Sequence, residues 1–97
     1  MPAYVFAEIE VTNPEGYKGY TAVVGQSIQQ YGGRYLARGG AVHPLEGDWP
    51  QRRRVLLEFP SVEAARKWWD SPEYEKPKEI RRANSKGRLL LFEGYSG

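Results

Sequence analysis

Residues 54–74 read R-V-L-L-E-F-P-S-V-E-A-A-R-K-W-W-D-S-P-E-Y, and this stretch decides the fold. An apolar strand from Arg54 to Phe59 runs into Pro60-Ser61, where Ser61 is placed to cap a helix reaching about Trp69. Ser71 caps a second helix that begins at Pro72, a residue tolerated at the first helical position because its missing N–H has no partner there anyway. Trp68 and Trp69 are adjacent, so they cannot share a direction: one is expected in the core and the other against a pocket, loop or partner. The stretch is expected to bring Glu58, Trp69, Tyr74 and Arg81 within reach of one another.

The rest of the chain follows by working outward. From Ala3 to Val11 the residues alternate, with Val5, Ala7, Ile9 and Val11 on one side and Tyr4, Phe6, Glu8 and Glu10 on the other, which is a strand. Asn13-Pro14-Glu15 supplies an N-cap, a first-turn proline and an early acid. Tyr17, Tyr20, Val24, Ile28 and Tyr31 then fall on one helical stripe, closed by Gly32-Gly33. Arg34 to Gly39 reads as a second strand. An irregular connection leads from it to the strand beginning at Arg54, with Ala41 to Leu45 extending a strand. Downstream, Pro77 lacks a donor and is expected to kink or break its helix. Ser85-Lys86-Gly87 ends that helix, and Arg88 to Glu93 is the last strand.

Strand, helix, strand, strand, helix, strand is the order of an α+β, ferredoxin-like βαββαβ sandwich, with the helices on one sheet face. The uncovered face is then expected to carry Tyr4, Phe6, Leu56, Leu90 and Phe92 beside Glu8, Glu10, Arg54 and Glu58. An apolar patch of several hundred square ångströms is large for a monomer. A homodimer packed sheet to sheet would hide it. A one-residue slip in register would instead swap the two faces.

With 97 residues the chain has room for one domain, residues 1–97. Net charge is only +2, and the basic runs Arg52-Arg53-Arg54 and Arg81-Arg82 sit among acids, so no nucleic-acid partner is expected. The sequence contains no cysteine, which excludes disulfides and thiol chemistry. No apolar run approaches the roughly 18 residues of a membrane span, and no signal peptide is visible, so the expected location is cytoplasmic. The glycine pairs lack the strand-to-helix setting of a phosphate-cradling loop, and no cofactor is expected.

The segments G-G-R-Y-L-A-R-G-G (32–40), L-E-F-P-S (57–61), S-P-E-Y (71–74) and the closing L-L-L-F-E-G (89–94) resemble the domain-of-unknown-function 1330 family over nearly the whole chain. The resemblance implies a dimeric alpha-beta barrel, in which two ferredoxin-like subunits pack by their sheets. That superfamily includes cofactor-independent monooxygenases of antibiotic biosynthesis, muconolactone isomerases, haem proteins similar to chlorite dismutase, and stress-response proteins. It raises the expectation of a small-molecule pocket and leaves the chemistry open. Pro77 and Glu79 depart from the smooth helix expected there, which loosens the placing of Arg81.

Several residues are candidates for chemistry, each with a structural alternative. Glu58, at a strand end, suits orienting a ligand or acting as a base, or else an ion pair with Arg34, Arg38 or Arg54. Trp69 and Tyr74 offer flat walls with polar tips for a planar ligand, or else pack a core. Arg34 and Arg81 are anion-binding candidates, since a guanidinium grips a carboxylate in two places, with pairing to Glu8, Glu10 or Glu58 as the alternative. His43 is the lone histidine and a weaker catalytic candidate; with Glu46 and Asp48 it makes only a thin metal set, and no metal is expected. Arg34, Glu58, Trp69, Tyr74 and Arg81 are expected to line one polar-mouthed cavity for an apolar or aromatic acid. A cofactor-free oxygenase or isomerase, a ligand-binding or sensing protein, and a purely structural dimer are the competing readings.

Overall fold

The computed structural model describes residues 1–95. β1 (Ala3–Val11) buries Ala3, Val5, Ala7 and Ile9, the side that the alternation assigns to the core. In α1 (Pro14–Gln30), Asn13 Oδ1 accepts the Gly16 N–H at 3.3 Å, and Tyr17, Val24 and Ile28 form the buried stripe. The helix closes at Gly32, whose φ of +79° is left-handed and open to glycine without strain. β2 is Arg34–Arg38, and it stops there because Gly39 turns to φ +66°. β3 (Arg53–Phe59) leads into α2 (Val62–Trp69), α3 (Pro72–Asn84) and β4 (Ser85–Glu93).

The four strands form one antiparallel sheet in the order β2-β3-β1-β4. Trp68, Tyr74, Phe59, Ile9 and Ile28 are the largest fully buried side chains and fill the layer between this sheet and the helices. This is the ferredoxin-like α+β arrangement.

Three expectations fail locally, each for a physical reason. Pro77 does not break α3, because Tyr74, Pro77 and Arg81 lie along the buried face of the helix, so packing of the ring compensates for one missing hydrogen bond. β4 begins at Ser85 rather than Arg88. The Asn84 carbonyl is taken by the Thr12 and Asn13 N–H groups, and Gly87 leaves its strand face clear for the Ile9 side chain. Finally, Ala41 to Leu45 is not a strand. Residues 39–52 form an exposed irregular connection in which Trp49 Nε1 donates to the Glu46 carbonyl.

Candidate functional site

Facing residues across the sheet form rows, and on the uncovered side these rows pair charges. Arg34 and Glu58 stand opposite each other, with Arg34 Nε 2.8 Å from Glu58 Oε1. Glu8 sits between Arg54 and Arg88, its two oxygens 3.4 Å and 3.0 Å from their guanidinium groups. Arg52 reaches Glu10 at 3.7 Å. Between these rows lie Tyr4, Phe6, Leu56, Leu90 and Phe92; the Tyr4 and Phe92 rings are 5.7 Å apart, and Leu90 and Phe92 remain 56% and 46% exposed.

The covered side is built differently. Trp68 packs 4.1 Å from the Tyr74 ring and 5.3 Å from Phe59, and its Nε1 donates to Ser27 Oγ at 3.1 Å. Ser71 holds this cluster at the helix start: its Oγ donates to the Trp68 carbonyl at 2.7 Å and accepts the Tyr74 N–H at 3.2 Å. Its neighbour Trp69 points away, half-buried. Lys78 Nζ stands 4.1 Å over the Trp69 ring and Arg82 5.9 Å from it. Trp69 also borders two adjoining hollows, one of about 240 Å³ against Ala65, Trp68 and Leu91, the other of about 420 Å³ against Arg81, Arg82 and Lys86. Leu89 floors both, so together they make a groove between α2, α3 and the inner side of β4.

Arg81 is 4% exposed and lies behind that groove. None of the carboxylates considered for it pairs with it. Its Nε donates instead to Tyr74 Oη at 3.3 Å, and Tyr74 Oη is 3.1 Å from Tyr20 Oη. Burial pushes the pKa of the Tyr17, Tyr20 and Tyr35 phenols above the ordinary value, so these groups stay neutral at physiological pH.

Of the five expected site residues, the structure therefore makes two groups. Trp69, Tyr74 and Arg81 come together on the covered side, and Arg34 pairs with Glu58 on the uncovered side. The one shared cavity does not form, because Glu58 follows the outward-facing members of β3 while α3 lies against the opposite face. His43 is exposed in the irregular connection. Among the described residues no group of three His, Cys, Asp or Glu side chains is gathered to hold a metal. Sequence reasoning missed Arg53 and Arg38, which line a small cavity on the covered side. Arg53 was legible from its spacing, since positions 53, 55, 57 and 59 share one strand face. Arg38 was not: a bulge between Tyr35 and Ala37 reverses its side.

The sheet order and this layering define a ferredoxin-like α+β protein. Solved structures agree in fold. A protein of unknown function from Rhodopseudomonas palustris superposes with a TM-score of 0.80 at 20% identity, covering 99% of this chain and 84% of that one. A dimeric ferredoxin-like protein of unknown function from Jannaschia gives 0.73 at 11% identity, over 97% and 100% of the two chains. A cofactor-independent oxygenase from Streptomyces nogalater gives 0.67 at 13% identity, over 99% and 95%. No curated protein matches the chain significantly. The chain belongs to the family described as domain of unknown function (DUF1330), whose model matches residues 2–95.

Proposed function

We propose that the protein is a homodimer in which each subunit binds a small apolar or aromatic acid, without a cofactor, in the groove between α2, α3 and β4. The observation that carries this reading is the pairing of a half-exposed Trp69 face and a leucine floor with Arg81, Arg82 and Lys86 at one end. A flat apolar body suits the first part and a carboxylate the second. Hollows of this size are near the low end of the roughly 300–1,000 Å³ typical of ligand sites. The apolar row on the uncovered face supports self-association, as does the dimeric description of the Jannaschia protein.

Binding fits the groove better than turnover. Oxygenation or isomerisation of such an acid without a cofactor calls for a base to remove a proton from carbon. Among the described residues no carboxylate or imidazole belongs to the groove's lining, and Glu58 is held by Arg34 on the other face.

Phenylacetate, followed by tryptophan fluorescence, is the direct probe. Wild type is expected to bind it, and Trp69→Ala to weaken binding about tenfold through loss of the stacking wall. If neither phenylacetate nor a panel of apolar monocarboxylates binds at about 10 mM, an affinity too weak to matter, the ligand reading is wrong. Light scattering should return twice the 11.1 kDa chain mass, and a clean monomer would remove the dimer.

A further inference from the structure

β4 is the last strand on one side of the sheet, so one of its edges meets no other strand. The Gly94 N–H donates to the Pro2 carbonyl at 2.8 Å and the Thr12 N–H to the Asn84 carbonyl at 3.0 Å, both on the register that pairs β1 with β4. In an antiparallel pair such hydrogen-bonded positions alternate with positions whose backbone groups turn the other way. Lys86, Arg88, Leu90 and Phe92 therefore bond to β1, while Gly87, Leu89, Leu91 and Glu93 turn their N–H and C=O groups to the free edge. Among the described residues no partner meets those groups. The opposite edge strand, β2, has only five residues, a bulge and an arginine at each end, features that discourage further pairing. β4 runs for nine residues without bulge or proline, and Leu89 to Phe92 is uncharged.

The groove between α2, α3 and β4 opens along this edge. Leu89, Leu90 and Leu91 follow one another in β4 and all border its smaller hollow, which places that hollow beside the strand as well as over its inner side. Leu89 and Leu91 stand opposite the buried Ala7 and Val5, so their side chains floor the groove while their backbone groups lie at its rim. The larger hollow lies towards the start of β4, where Arg81, Arg82 and Lys86 border it and, among the described residues, no acid does. A purely apolar body seated on the leucines would strip water from the Leu89 and Leu91 backbone groups and put nothing in its place, which is unfavourable. An occupant with amides of its own replaces the lost hydrogen bonds.

We propose that the groove takes the free carboxyl end of an extended peptide, which adds to the four-stranded sheet as a further strand beside β4. This rests on the groove reading and names its ligand: the acid is the end of a chain. Charge sets the direction. The carboxylate lies by Lys86 and Gly87 near the two arginines, and the chain runs from there towards Glu93, antiparallel to β4. Residues opposite each other in a sheet share a face. With the last residue opposite Gly87, those opposite Leu89 and Leu91 send their side chains into the groove and their N–H and C=O groups to β4. These two positions are apolar, and the residues between them are unconstrained.

The experiment is calorimetric binding of the peptide acetyl-Leu-Thr-Phe-Thr-Ala, followed by amide hydrogen exchange. Amidating its carboxyl end should weaken binding about tenfold, as loss of a charge-assisted contact does, and Lys86→Gln should narrow the gap between acid and amide. N-methylation of the phenylalanine removes a donor aimed at β4 and should weaken binding about tenfold. The same change at the next threonine, whose N–H points away, should cost much less. The peptide should slow exchange at the Leu89 and Leu91 amides and leave Leu90, already bonded to β1, as it was; phenylacetate, which has no amide, should slow neither. Equal losses from the two methylations, or unaltered exchange at Leu89 and Leu91, overturn the added strand. So does protection of these amides in the free protein that is lost on dilution, since a second copy would then hold the edge. Binding of phenylacetate that depends on Trp69, with the peptide inert, keeps the groove for a small acid and removes the strand. Peptide binding with the exchange signature but without phenylacetate binding keeps the strand and removes the small-acid reading.

Discussion

The two faces of the sheet carry arginines in comparable number and treat them in opposite ways. On the uncovered face Arg34, Arg54 and Arg88 each stand within 3.4 Å of a carboxylate oxygen of Glu58 or Glu8. On the covered side Arg38 and Arg53 of the sheet and Arg81 of α3 border a small cavity with tyrosines, and among the described residues no acid does. Each arginine of the first face meets a carboxylate within it, so what that face offers a partner is the apolar row between the ion pairs. On the second side only Arg81 is buried, and its Nε meets the Tyr74 hydroxyl rather than an acid, while Arg53 is half-buried and Arg38 is exposed. The difference teaches that position, rather than the number of arginines, decides whether an arginine meets an acid.

The largest expected effect lies on the covered face. Trp68→Ala removes a 1%-exposed ring packed between Phe59 and Tyr74 and should lower unfolding free energy by about 3–5 kcal/mol in urea titrations. A loss below about 1 kcal/mol would mean that this layer is loosely packed and that its cavity has no fixed shape. Next comes the uncovered face. Glu8→Gln weakens the hold on two arginines at a side chain only 10% exposed, and should cost about 1.5–3 kcal/mol. Glu58→Gln, opposite a 70%-exposed Arg34, should cost under about 1 kcal/mol. Equal costs for the two would erase the gradient from the centre of that face to its edge.

Ser71→Ala should cost about 0.5–2 kcal/mol by leaving the Tyr74 N–H uncapped, without changing phenylacetate affinity once the fold is intact. Unchanged stability with lost affinity would make Ser71 a ligand contact. The smallest effect near neutrality concerns pH. Tyr17, Tyr20 and Tyr35 are raised above 10.0 in the folded protein by burial. Their contribution is thus fully present below pH 10 and is lost as pH climbs towards the folded values. Denaturant midpoints should hold steady up to pH 9 and fall above about pH 10, less steeply in Tyr20→Phe. A midpoint that stays flat through pH 11 would show these phenols to be solvated, contrary to their burial.

What the sequence alone determined about this protein is what short-range rules write. The alternation of Val5, Ala7 and Ile9 assigned the faces of β1, because side chains on a strand repeat every two residues. Asn13, Ser61 and Ser71 marked three helix starts, and each accepts an N–H three residues on, a contact closed within one turn. The grouping of Trp69, Tyr74 and Arg81 was legible for the same reason, since a cap and a short helical stretch connect them. Only the tertiary structure decided where the arginines went. Arg34 and Glu58 are 24 residues apart and Glu8 and Arg88 are 80 apart, so their pairing depends on strand register. The bulge beside Leu36 turned Arg38 inward, and the packing of α1 and α3 chose Tyr74 rather than an acid as the partner of Arg81. Local patterns fix which side of an element is apolar, but the neighbour a charge meets is set by segments that sequence distance keeps apart.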